Sequence, residues 1–181
     1  REEAFLNAGL RIQTVDLRPG REQEDDMCYE GGIREFVTFI NRSKDPLHPD
    51  VIYMSGARED SMAEVAMQYN DGYSEVSFAN NVHTPEGGMH EEGFKRALTN
   101  VLNAYGKKIG VLKNDDKVSG DDCREGLTCV ISVKLTDAQF EGQTKAKLGN
   151  SEIRTLVNAI VSEKLEIYLE ENPAVGRAIL D

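Results

Sequence analysis

Three segments of the chain combine residue types that could do chemistry. Phe140-Glu141-Gly142-Gln143-Thr144-Lys145-Ala146-Lys147-Leu148-Gly149-Asn150 sets a Gln/Lys pair between glycines. A lysine supplies a mobile point charge and a glutamine amide adds directional hydrogen bonds, a pairing suited to a phosphate. Solvated connectors have the same composition, so spacing alone leaves both readings open. Thr84-Pro85-Glu86-Gly87-Gly88-Met89-His90 places two glycines before an apolar periodic stretch. Such a pair permits close backbone approach and could offer amides to an anion, although a tight entry turn is the simpler reading. In Ser119-Gly120-Asp121-Asp122-Cys123-Arg124-Glu125-Gly126, an aspartate (Asp121 or Asp122) reads as the cap of one helical turn, with Arg124 and Glu125 as a solvated pair.

The other reactive residues point nowhere in particular. Cys28, Cys123 and Cys129 are odd in number and lack CxxC spacing, which argues against a disulfide framework or a zinc knuckle. His48, His83 and His90 lie in Pro- and Gly-rich sequence and read as surface residues rather than metal ligands. No nucleophile elbow, Walker A loop or zincin helix is present.

The elements that would position these segments are legible by period. Residues 1–9 read as the end of a helix, and Leu10 to Leu17 as a strand closed by Arg18-Pro19-Gly20. Arg21 to Asp26 is charged and apolar-free, which predicts a linker and a boundary near residue 20. Ile33, Phe36, Val37 and Ile40 share a helical face, and Val51 to Met54 is a short strand. Ala63, Val65, Met67 and Tyr69 alternate, Asn70-Asp71-Gly72 has turn chemistry, and Tyr73 to Ala79 returns, together predicting a hairpin. Phe94, Ala97, Leu98, Val101, Leu102 and Tyr105 define an amphipathic helix that Gly106 is placed to end. Leu127 to Leu135 alternates as a half-buried strand. A long helix follows with Ile153, Leu156, Val157, Ile160, Val161, Leu165, Tyr168 and Leu169 on one face, and Pro173 restarts the chain as another helix. The expected architecture is α/β (α+β), one mixed sheet covered by helices on one face.

Composition narrows the class. The 181 residues hold 21 Lys plus Arg against 32 Asp plus Glu, a net charge of −11. That is a poor match to a free-standing duplex-DNA binder. From Glu59 to Glu92 there are eight acids and no Lys or Arg. No run of 18 apolar residues and no signal-like segment occurs, so the expectation is a cytoplasmic protein or an excised piece of one.

Taken in order, YEGGI (29–33), FINRSKDPLHP (39–49), NNVHTPEGGMHEEGF (80–94), LNAYG (102–106), SGDDCREGL (119–127), SVKL (132–135) and FEGQTKAKLGN (140–150) resemble one family. It is the transducer domain of the B subunit of bacterial type IIA topoisomerases, with gyrase the nearest type and topoisomerase IV very similar. The opening EAFLNAGLRIQTVDLR (3–18) resembles the last helix and strand of that subunit's ATPase domain. The likeness runs through nearly the whole chain, and its GDDxREGL and QTKxKLGN patterns are its most specific parts. One departure is Met89, where the family more often has Thr.

The resemblance implies a ribosomal protein S5 domain 2-like fold with a left-handed crossover. It divides the chain into residues 1–20 as the tail of the ATPase domain, 21–172 as the transducer, and 173–181 as the start of the helix to the next domain. It also implies that Gln143, Thr144 and Lys145 contact ATP held by the neighbouring domain, with Lys145 on the γ-phosphate in a catalytic role and Gln143 helping to hold it. ATP and Mg2+ are the implied cofactors of the full-length protein. The implied partners are the gyrase A subunit, a second B subunit, and the transported double-stranded DNA segment. Lys95, Arg96, Lys107 and Lys108 are candidates to face that DNA. The family's catalytic Glu, Mg2+-binding Asn and adenine-binding Asp belong to the ATPase domain, its DNA-cleaving Tyr to the other type of subunit, and its Toprim acids to sequence after residue 181. The chain alone is therefore expected neither to hydrolyse ATP nor to cleave DNA. The alternative is an S5-like nucleic-acid-binding module without nucleotide contact.

Overall fold

A computed structural model describes residues 1–181. Its sheet is built around the most apolar strand of the chain. β7 (Leu127–Lys134) carries no charge before Lys134 and is buried along its whole apolar length, so it takes the centre of a five-stranded sheet. β4 (Ser61–Tyr69) pairs with it antiparallel, from Met62↔Lys134 to Tyr69↔Leu127. β5 (Ser74–Ala79) pairs with its other edge in parallel, from Ser74↔Thr128 to Ala79↔Val133. β3 (Ile52–Arg58) and β6 (Val82–His83) lie outside, giving the order β3-β4-β7-β5-β6.

This arrangement corrects two readings. β4 and β5 are not a hairpin, because β7 is inserted between them. The Asn70-Asp71-Gly72 turn exists, with the Gly72 amide donating to Asn70 Oδ1 at 2.7 Å, but it vaults over the start of β7. β7 is also not half-buried. Leu127, Cys129, Ile131 and Val133 face one apolar cluster while Val130 joins another on the opposite side.

The two faces have different covers. α3 (Met89–Lys108) and α5 (Ser151–Glu171) pack together over one face, with Phe94, Leu98, Leu102, Ile153, Val157, Val161 and Leu165 buried. Helices on one face were expected, and these two long ones fulfil that. The other face is covered as well, which is a correction. There α1 (Glu2–Leu6) and α2 (Ile33–Ile40) bury Phe5, Leu6, Ile33, Phe36 and Val37 against Ala66, Phe78 and Val130. α6 (Pro173–Leu180) follows Asn172 as anticipated. The expected end of α3 at Gly106 is overrun. Gly106 lies inside the helix, with Leu112 packed where a Cβ would be, and Gly110, at φ +80°, follows the helix end.

The apolar-free segment after residue 20 is not a linker. β2 (Gln23–Cys28) pairs antiparallel with β1 (Arg11–Asp16), and Arg11 Nε donates to Asp26 Oδ1 across the pair at 2.9 Å. The boundary drawn near residue 20 falls in the turn between these strands. No helix is long and apolar enough to cross a membrane.

Candidate functional site

The Gln143–Lys145 segment is the tip of a small hairpin. β8 (Phe140–Glu141) pairs antiparallel with β9 (Lys147–Leu148) through Phe140↔Leu148 and Glu141↔Lys147. Gly142 turns the chain at φ +80°, and Lys145 holds φ +55°, a region that non-glycine residues seldom enter. Gln143, Thr144 and Lys145 are all exposed, and none of their side chains makes a hydrogen bond or ion pair within the chain. The tip thus gathers an ammonium, an amide and a hydroxyl, a donor set that fits phosphate oxygens. It projects rather than lines a pocket. A cleft of about 470 Å³ between α1, α2 and the sheet, reached by Lys134 and Ser132, includes none of the three.

Everything below the tip is tied down. Ala146 and Leu148 are buried, and Lys147 pairs with Glu141 at 3.1 Å. Asn150, buried at the start of α5, closes the base. Its Oδ1 accepts from the Gln139 amide at 2.6 Å, and its Nδ2 donates to the Asp137 carbonyl at 2.9 Å and to Glu152 Oε1 at 2.8 Å. The last bond holds the Glu152 carboxyl below its ordinary range. The Gly149 amide donates to the Gln139 carbonyl at 2.7 Å. Sequence reading did not single out this role of Asn150. The signal available was an Asn directly before a strongly periodic helix.

The two adjacent glycines, offered as a phosphate cradle or an entry turn, serve this hairpin instead. The Leu148 amide donates to the Gly87 carbonyl at 3.0 Å and the Glu86 amide to the Ala146 carbonyl at 2.9 Å, while Gly88 bridges Leu148 in parallel. Their backbone groups face protein rather than an open anion site.

The third segment forms α4 (Gly120–Arg124), which is not capped by Asp121 or Asp122. Ser119 is the cap, its Oγ accepting from the Asp122 amide at 3.1 Å. Arg124 pairs with Asp121 at 2.7 Å, not with Glu125. Neither residue approaches the tip through any bond.

Two of the three histidines are buried, which overturns their reading as surface residues. His48 accepts from the Tyr69 amide through Nε2 at 3.2 Å, and its Nδ1 lies 2.7 Å from the Asp50 carbonyl, so the ring is neutral and donates there. His90, in the first turn of α3, meets Thr84 Oγ1 at 3.0 Å, and burial lowers its pKa to about 4. Cys123 and Cys129 are core residues whose thiols burial pushes up. No group of three His, Cys, Asp or Glu side chains is arranged to hold a metal ion. Of the basic candidates on α3, Lys95 lies 3.6 Å from Glu75 and 3.7 Å from Glu91, and Lys108 pairs with Glu170. Arg96 and Lys107 are exposed and unpaired.

The comparisons with known proteins agree in direction. The family model described as DNA gyrase B matches residues 32–181. The DNA gyrase B subunit of Clostridium acetobutylicum is 52% identical over 185 residues, covering 100% of this chain and 29% of that protein. Its Staphylococcus epidermidis counterpart is likewise 52% identical over 184 residues, with the same shares covered. The chain thus spans about 29% of the length of these relatives. Among solved structures, the 43K ATPase domain of Thermus thermophilus gyrase B, in complex with an aminocoumarin, superposes with a TM-score of 0.87 at 35% identity, covering 98% of this chain and 48% of that one. The ATP-binding domain of Francisella tularensis topoisomerase IV gives 0.83 at 26% identity, over 99% and 48%. With the model matched over most of the chain and relatives at half identity along all of it, the chain belongs to the DNA gyrase B family.

Proposed function

We propose that this chain is the transducer unit of a gyrase-type B subunit, lending the tip of its β8–β9 hairpin to an ATP site completed by the rest of that protein. The observation behind this reading is the contrast within one loop: three uncommitted polar side chains at positions 143–145 above a hydrogen-bonded, buried base. Residues 1–20 then belong to the ATPase domain and 21–172 to the transducer, with 173–181 leading onward. In such a site the Lys145 ammonium neutralises charge that gathers on the phosphate as the β–γ bond breaks, and Gln143 and Thr144 orient its oxygens. Mg2+, held by residues outside this chain, would share the phosphate charge. Loss of the terminal phosphate removes the partner of Lys145, so hydrolysis frees the tip and lets the domains rotate. Through that rotation the cytoplasmic holoenzyme, with the gyrase A subunit, a second B subunit, and double-stranded DNA, couples ATP turnover to strand passage and supercoiling.

The test is Lys145→Ala in the intact protein. A charge-assisted hydrogen bond contributes about 1.5–3 kcal/mol, so ATP turnover is expected to fall about 10- to 100-fold with the melting temperature unchanged. Turnover within twofold of the parent would overturn the phosphate contact. The 181-residue chain alone is expected to release no phosphate from ATP.

A further inference from the structure

The hairpin that carries Lys145 meets the segment entering α3 backbone to backbone, while the Leu148 side chain anchors it in the core. Gly88, immediately before α3, holds φ +136°, and a Cβ there would overlap the Leu148 backbone, 2.5 Å from its nitrogen and 2.9 Å from its carbonyl carbon. Residues 146–148, which descend directly from the tip, therefore lie on residues 86–88 with no side chain between them. Five positions further on, Gly93 receives the next segment in the same way. A Cβ at Gly93 would stand 2.5 Å from the Arg154 carbonyl oxygen and 3.1 Å from Arg154 Cα, so the start of α5 meets α3 backbone to backbone. Side chains at contacts bend and hop between rotamers, whereas backbone packed on backbone transmits displacement with little give. The 84–88 platform is itself fastened to the sheet. Thr84 Oγ1 donates to the Ser77 carbonyl at 3.0 Å and meets His90 Nε2 at 3.0 Å, and Ser77 Oγ donates to Glu91 Oε1 at 2.5 Å.

We propose that Gly88 and Gly93 are positioning residues that lock the Gln143–Lys145 tip to the α3–α5 pair, so that the tip and the two long helices move as one body. Gly88 sets where the tip sits, and Gly93 passes the motion of the tip into the helix pair. This rests on the reading of Lys145 as a phosphate contact, and the experiment separates the two.

In the intact protein, turnover and the affinities for ADP and for a non-hydrolysable ATP analogue are measured for Gly88→Ala, Lys145→Ala and the double variant. Gly88→Ala is expected to lower kcat at least tenfold and weaken analogue binding while ADP affinity stays within twofold. The double variant is expected to be no slower than Lys145→Ala, because a displaced tip and a missing ammonium remove the same contact. A folded Gly88→Ala variant with kcat within twofold of the parent overturns the lock, as does a double variant whose loss is the product of the two single losses. Parental kcat for Lys145→Ala instead overturns the phosphate contact itself, and the lock with it. Gly93→Ala gives a second arm that does not depend on Gly88→Ala folding. In the enzyme reconstituted with DNA plus the gyrase A subunit, it is expected to hydrolyse at least fivefold more ATP per supercoil introduced, with kcat within threefold of the parent. An unchanged ratio overturns the lock. Alanine inside a helix otherwise favours the helix, so loosened coupling separates close packing from a mere helix effect.

Discussion

Residues 142–145 and residues 146–150 are neighbours in one short loop, yet they obey opposite rules. At the tip, polar groups have no partner and the backbone enters a strained region at Lys145. At the base, Ala146, Leu148 and Asn150 are buried and almost every nearby polar group is paired. A chain that folds on its own needs the second kind of segment. The first kind is met by water in the isolated chain and, in the function proposed above, by a phosphate held by the rest of the protein. The base makes the tip useful, because an ammonium on a wandering loop would lose to entropy most of what it gains from a phosphate.

Perturbing the two parts should give separable results. The largest effect expected is at the tip: Lys145→Ala costs about 10- to 100-fold in turnover and nothing in thermal stability, as measured side by side by phosphate release and calorimetry. At the base the outcome inverts. Leu148→Ala removes a fully buried side chain and should cost about 2–5 kcal/mol of folding stability in denaturant titrations. A drop in turnover without loss of stability in this variant would erase the distinction between tip and base.

The platform beneath the base should be pH-sensitive. Burial holds the His90 pKa at about 4 in the folded chain against an ordinary 6.5. The unfolded chain therefore binds the proton first as pH falls, so stability is full above pH 6.5 and drains away between 6.5 and about 4. A His90→Gln variant should lose its share of that slope in urea midpoints taken across the range, the buried His48, whose pKa is also lowered, keeping its own. An unchanged slope would assign it to other groups. The smallest effect belongs to the surface pair of Lys147 and Glu141, where Lys147→Ala should change stability by less than about 1 kcal/mol. A larger loss would make this ion pair part of the base rather than its rim.

The contrast between tip and base also explains what is legible from sequence. The segment 140–150 stands out as chemically able, and the long helices show in their apolar faces. The fate of the glycine pair was not legible, because glycines that admit an anion and glycines that admit a strand are the same glycines. The strand at Gln23–Cys28 escaped for another reason. Its side chains are mostly exposed, so it carries no alternating pattern, and the ladder with β1 and the Arg11–Asp26 pair hold it instead. The histidines misled because Pro- and Gly-rich sequence suggests a surface. Loop segments can nonetheless fold their polar side chains inward where backbone groups await them, as the Tyr69 amide awaits His48.

By itself the sequence determined the elements whose signal is periodic, namely α2, α3, β4, β7 and α5, and it marked the Gln143–Lys145 tip by composition and resemblance. These are local properties, set by which faces must leave water. The tertiary structure alone decided that β7 splits β4 from β5, that helices cover both faces of the sheet, and that Gly88 and Gly93 seat the loop and α5 on α3. Each of those is a contact between residues distant along the chain, and period and spacing along the chain do not encode which distant surfaces will meet.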